Sequence, residues 1–151
     1  MKKITLELIN QVSAEAKVSA RKRKNYNFHE SMDETLHRML NAVEPGTYVR
    51  PHKHELPDKA ESFIVLRGKV LSVTFTNTGE ILDCMLIDPQ TGNFGVDIAP
   101  RTWHTVISLV EGSIFYEAKD GPWQAFNDKN FAPWAPAEGD ADAPEYLEKL
   151  T

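Results

Sequence analysis

Two histidines stand two residues apart in the segment Gly46-Thr47-Tyr48-Val49-Arg50-Pro51-His52-Lys53-His54. On a β-strand, residues i and i+2 point to the same face. His52 and His54 therefore project their imidazoles toward one point, as metal ligands do. A carboxylate, Glu61, follows shortly, and His104 supplies a third candidate imidazole further on. Imidazole and carboxylate together suit Zn, Fe, Mn or Ni, so the expected cofactor is one divalent metal ion. Three imidazoles and one carboxylate leave one or two positions open on a five- or six-coordinate ion. Open positions separate a working site from a structural one. Glu55 is the competing carboxylate, but on a continuing strand it faces away from His54.

These residues need a scaffold, and the chain has the size of one domain at 151 residues. The apolar fraction of 41% and charged fraction of 26% are those of an ordinary globular protein. A net charge of −5 argues against a nucleic-acid partner or an anionic membrane surface. The basic run Arg21-Lys22-Arg23-Lys24 stands against that trend. It reads as a solvated helix end, where cations complement the macrodipole, with phosphate binding as the minor alternative. Cys84 is the only cysteine and lies in an apolar run, so it is expected in the core, and no internal disulfide forms. No secretory signal pattern opens the chain and no apolar stretch reaches membrane-spanning length, so a cytoplasmic location is expected.

The pattern divides this single structural domain into three stretches. Residues 1–45 read as a helical segment packed on a barrel. Leu6, Ile9 and Val12 recur at helical spacing behind a Thr5 cap. A second helix is predicted over 33–43, with Leu36, Met39, Leu40 and Val43 on one face, and 25–29 as a loop before it. Residues 46–120 change to short β runs divided by turns, such as Asn77-Thr78-Gly79. That spacing predicts an all-β jelly roll. Residues 121–151 interleave prolines with Trp123, Phe126, Phe131 and Trp134 and are expected to cover the barrel or a subunit contact, with a short helix at 145–150.

The segment Gly46-x5-His52-x-His54-x6-Glu61-x6-Gly68 resembles the first signature motif of the cupin superfamily, with a longer gap before the glutamate. Ala99-Pro100-Arg101-Thr102-Trp103-His104 takes the place of the second motif; its proline is displaced, and Arg101 stands where glycine is usual. More narrowly, the chain resembles the WbuC-type cupin-fold metalloproteins. That likeness runs through Asn25-Tyr26-Asn27-Phe28-His29, the stretch from Leu40 to His52, Thr102-Trp103-His104-Thr105-Val106 and Asp128-Lys129-Asn130-Phe131-Ala132-Pro133-Trp134-Ala135-Pro136. The resemblance implies a cupin double-stranded β-helix, a setting among bacterial O-antigen and other polysaccharide genes, and a homodimer. An isolated His-x-His on an exposed strand is ordinarily a surface coincidence. Glu61, Gly68 and His104 at cupin-like positions lift this one above it.

Strand parity extends the candidate site. If His52 and His54 face inward, so do Arg50 and Tyr48. Arg50 then either clamps a carboxylate or phosphate or pairs with an acidic neighbour at the rim. Arg101 either reaches the ligand or faces water. His29 and Tyr26 either cap the barrel mouth or form a structural loop. Tyr116 and Glu117 alternate on the last strand, so one of them faces inward as a candidate acid or base. Trp103 points away from His104 and is expected between the sheets.

Three functions are compatible with these residues. The leading expectation is a metal-dependent isomerase or epimerase on a small polar or sugar-derived substrate. An Fe(II)-dependent dioxygenase is the second. A non-catalytic, metal-assisted sugar-binding module is the third.

Overall fold

A computed structural model describes residues 1–125 and 128–151. Phe126, one of the aromatics expected to cover the barrel, lies outside the described residues. Helix α1 (Leu6–Val18) opens the fold; the Thr5 hydroxyl accepts from the Leu8 amide at 3.2 Å. The strands follow as β1 (Arg23–Asn27), β2 (Leu36–Val43), β3 (His52–Lys53), β4 (Glu61–Arg67), β5 (Val70–Phe75), β6 (Ile81–Ile87), β7 (Gly95–Ile98), β8 (Trp103–Ser108), β9 (Ser113–Asp120) and β10 (Asn130–Phe131). Helix α2 (Ala143–Leu150) closes the chain.

The strands form two antiparallel five-stranded sheets, in the orders β1-β2-β9-β4-β7 and β10-β3-β8-β5-β6. Apart from the β1–β2 and β5–β6 pairs, consecutive strands alternate between the sheets, which gives the expected jelly roll. Phe63, Val65, Val70, Ile87, Val106 and Phe115 form the apolar core between the sheets. On the outer face of the first sheet, Val12 and Ala16 of α1 pack against Leu40, Ala42 and Ile114. On the outer face of the second, Ala132, Ala135 and Leu150 of the C-terminal segment pack over Val73, Phe75, Trp103 and Ile107. Trp103 thus points away from His104 as expected, but outward beneath this cover rather than between the sheets. Its indole N–H donates to Asn77 Oδ1 at 2.9 Å.

Three expectations need correction. The stretch 33–43 is strand β2 in the middle of a sheet, not a second helix, and the sheets begin at Arg23 rather than near residue 46. Leu40 and Ala42 face α1 while Met39, Asn41 and Val43 face the barrel interior. A strand covered on both faces carries apolar residues at both parities, and four of those happened to fall at helical spacing. Second, 25–29 is not simply a loop, since β1 pairs through Asn27 with β2. Its polar composition suits an edge strand beside a cavity. Third, Cys84 is exposed. It sits on the edge strand β6, where Ile81, Leu82, Met85 and Leu86 are also exposed.

Candidate metal centre

His52 and His104 are directly opposite in the β3–β8 ladder. Their rings lie 4.5 Å apart, and His54, one residue past β3, brings its ring to 5.2 Å from His52. Glu61 comes from the other sheet, as the first residue of β4. The loop from His54 to Glu61 therefore crosses between sheets instead of closing a hairpin, which accommodates the long spacing. One ligand atom from each of the four residues lies within 4.8 Å of the others. All four side chains are buried. Glu55, the competing carboxylate, pairs with Lys53 at 2.7 Å and takes no part.

Backbone carbonyls hold the three rings. His52 Nδ1 donates to Arg50 O at 3.0 Å, His104 Nδ1 to Thr102 O at 2.8 Å, and His54 Nδ1 to Asp128 O. Each bond places the proton on Nδ1 and leaves the Nε2 lone pair free, which is how metal-binding histidines are oriented. Glu61 Oε1 is 2.5 Å from His104 Nε2, and Oε2 is 3.5 Å from His54 Nε2. These approaches lack hydrogen-bond geometry: His54 Nε2, His104 Nε2 and Glu61 Oε1 are buried without a hydrogen-bond partner. Orphaned buried polar atoms are rare in folded proteins. Three of them converging with a fourth ligand fit a divalent ion. Burial pushes the His52 pKa well below its usual range, with the Lys129 charge adding to the effect, so the ring stays neutral as a ligand must. Burial alone would raise the Glu61 carboxyl, but His104 and His54 overcome it and hold it well below the usual carboxylate range.

His52, Glu61 and His104 of the cluster form the floor of a cavity of about 580 Å³. Phe63, Val106 and Phe115 supply its apolar wall, and Asn25, Asn27, Asn41, Glu117, Lys119 and Lys129 its polar one. Glu117 is the inward member of the Tyr116–Glu117 pair. Burial and the neighbouring Glu61 charge push its pKa up to about 7. Asn41 Nδ2 donates to Glu117 Oε2 at 2.7 Å. His29 also lines this cavity; its Nδ1 lies 3.2 Å from the Arg38 amide, and its Nε2 is buried without a partner.

Five other candidates lie elsewhere. Tyr116 and Tyr26 turn outward and pack near α1. The Tyr48 hydroxyl donates to Pro136 O at 2.9 Å. Arg50 donates to Ala132 O at 2.7 Å, and its guanidinium stands 5.5 Å from the Phe131 ring. Tyr48 and Arg50 precede β3, so no ladder enforced the alternation that put them inward; Val49 lines the cavity instead. Arg101 is exposed and pairs with Asp58 at 2.8 Å.

Sequence reasoning passed over Asn41, Lys59, Lys119, Asp128 and Lys129. Lys119 carried a signal: it shares parity with Glu117 on β9. Asp128 and Lys129 lay in view, inside the C-terminal segment that carries the family likeness.

A protein-family profile described as "Domain of unknown function (DUF6016)" matches residues 4–87, and the chain belongs to that family. The match includes His52, His54 and Glu61 but stops before His104. No curated protein matches the chain. Among solved structures it is similar to CapF, a capsular polysaccharide assembling protein of Staphylococcus aureus, at 21% identity and a TM-score of 0.58, covering 71% of this chain and 28% of that one. It is similar to KdgF from Halomonas sp. at 16% identity and a TM-score of 0.51, covering 69% and 82%. It is also similar to the Bacillus subtilis oxalate decarboxylase OxdC, at 16% identity and a TM-score of 0.53, covering 72% and 27%. The chain thus spans less than a third of CapF and of OxdC. At these identities the likeness is one of fold, and that fold is the cupin jelly roll.

Proposed function

We propose that this member of the family is a metal-dependent enzyme that isomerises or epimerises a small polar, sugar-derived substrate. His52, His54, Glu61 and His104 would hold the ion. The observation that carries this reading is Glu117, an inward carboxyl held by Asn41 in the same cavity as the ligand cluster, where burial pushes its pKa up. Isomerisation and epimerisation both take a proton from carbon and return one. A group that titrates near the working pH can do both.

A divalent ion, when bound, supplies Lewis-acid polarisation of a carbonyl or hydroxyl oxygen. The chain's own residues do the rest. Asn41 orients the Glu117 carboxyl through Oε2 and leaves Oε1 to exchange the proton. Asn25 and Asn27, joined at 2.7 Å, offer amide groups to substrate hydroxyls. Phe63, Val106 and Phe115 exclude water from the reacting centre. The link to bacterial surface polysaccharides rests on the WbuC-type resemblance. The exposed apolar side chains of β6 support pairing of two copies.

Two measurements test this reading together. Elemental mass spectrometry of untagged protein is expected to find near one equivalent of metal, lost in His52→Ala and Glu61→Ala. Proton NMR in deuterium oxide, across aldoses, ketoses and nucleotide-linked sugars, is expected to show carbon-bound hydrogen exchanging in one substrate class. Glu117→Gln should stop that exchange without releasing the metal. Failure to bind metal even after reconstitution overturns the proposal. Substrate-dependent oxygen uptake in place of exchange moves the assignment to a dioxygenase.

A further inference from the structure

Positive charge gathers on one wall of the cavity, in a chain whose net charge is −5. Lys119 on β9 is buried, with its ammonium 2.9 Å from Asp128 Oδ2. Lys59, also buried, reaches Asp128 Oδ1 at 2.8 Å and donates to Pro122 O. One aspartate therefore answers two lysines. Lys119 and Lys129 both line the cavity, while Lys59 meets Asp128 without lining it; Lys129 has no hydrogen-bond or ion-pair partner among the described residues. Burial, followed by the neighbouring Lys119 charge, pushes its pKa down. Lys129 lines the same cavity as His52, Glu61 and His104.

The nearby acids do not balance this wall. Asp128 is shared between two lysines, Glu61 belongs to the ligand set, and burial favours the neutral form of Glu117. With a divalent ion in place, that ion together with Lys59, Lys119 and Lys129 outweighs Asp128, Glu61 and Glu117. The basic run of the N-terminal region adds Arg21, Arg23 and Lys24 at the same cavity, where Glu138 and Glu15 already pair with them. A recess with unpaired positive charge and low dielectric is complementary to an anion, and a neutral sugar would leave the charge unmet.

We infer that the Lys129 ammonium, backed by Lys119, seats an anionic group of the substrate, a carboxylate or phosphate carried by the sugar, beside the metal cluster. This rests on the cavity being the site of a sugar-derived substrate, and it narrows that class to acidic sugars. Lys129 is then a specificity residue. Its compact charge on a flexible stem suits either anion.

Calorimetric titration of metal-loaded protein tests this without turnover. The ligands are glucose, glucuronate and glucose 1-phosphate with their galacto epimers; the proteins are wild type, Lys129→Gln and Lys129→Arg. Wild type should bind one charged class at least about tenfold more tightly than the neutral sugars, and which class it is separates carboxylate from phosphate. Lys129→Gln should abolish that preference with metal content unchanged, and Lys129→Arg should keep most of it. Equal affinity for neutral and charged sugars overturns the inference, as does absence of charged-sugar binding at millimolar concentration. A preference that survives Lys129→Gln also overturns it and assigns anion recognition to the metal. If charged sugars bind selectively but no hydrogen exchange is found, the isomerase reading fails and this one stands.

Discussion

The floor and the wall of the cavity both bury polar and ionisable side chains, and they hold them differently. On the floor, each histidine ring is fixed by a bond from Nδ1 to a backbone carbonyl, and His54 Nε2, His104 Nε2 and Glu61 Oε1 converge without hydrogen-bond partners. On the wall, side chains hold one another: Glu117 with Asn41, and Asp128 with Lys59 and Lys119. A ring tied to the backbone cannot relax toward a new partner, so its lone pair stays aimed at the ion's position. A side chain tied to another side chain can titrate or trade partners. What anchors a buried polar group therefore decides whether it serves as a ligand or as a proton and anion site.

The largest effect that would sharpen this contrast falls on the wall. Asp128→Asn keeps the backbone carbonyl that holds His54 but removes the charge between Lys59 and Lys119. Breaking such a buried pair should lower the unfolding free energy by about 3–5 kcal/mol. Urea denaturation measures the loss, and metal content should remain near that of the wild type. Loss of metal at undiminished stability would reverse the roles assigned to floor and wall.

A smaller effect falls on the floor. His104→Ala should abolish the metal-linked part of stability, roughly 3 kcal/mol when free metal is 100-fold above its dissociation constant. Thermal unfolding with and without a chelator checks this. The wild type should lose stability on chelation, and the variant should show no difference.

The smallest effect is pH-dependent. The Glu117 carboxyl has a folded pKa raised from 4.5 to about 7. Its contribution to stability is full at pH values below about 4.5, where it is protonated folded and unfolded, and is lost as pH rises through about 7. In metal-free protein, Glu117→Gln, which cannot ionise, should match the wild type near pH 4.5. It should exceed it at pH 8, by less than the roughly 3 kcal/mol that a rise from 4.5 to about 7 allows, because the side chain is only half-buried. Denaturant titrations at the two pH values read the difference, and a gap that does not widen with pH would show that Glu117 is not a buried titrating group.

Much of the floor was legible before folding, because His52 and His54 sit together in sequence and the alternation of a strand is enforced by its own ladder. The same alternation failed at Tyr48 and Arg50, which have no ladder around them, and it succeeded at Trp103 and His104 within β8, which face opposite ways. The helix predicted over 33–43 failed for a related reason. A strand covered on both faces loses the alternation that would betray it, and β2 is covered by α1 on one side and the barrel interior on the other.

The sequence by itself determined the ligand types, the all-β organisation after residue 46 and the N-terminal helix with its Thr5 cap, since each depends on chemistry or periodicity within a few neighbouring residues. Only the tertiary structure decided that Glu61 reaches the histidines from the opposite sheet, and that Glu117 rather than Tyr116 faces them. It alone brought Lys119, Asp128 and Lys129 to the cavity and paired Lys59 with Asp128. Those four come from a loop, a strand and the irregular C-terminal segment. No local period relates them, and their meeting follows from how that segment packs across the barrel.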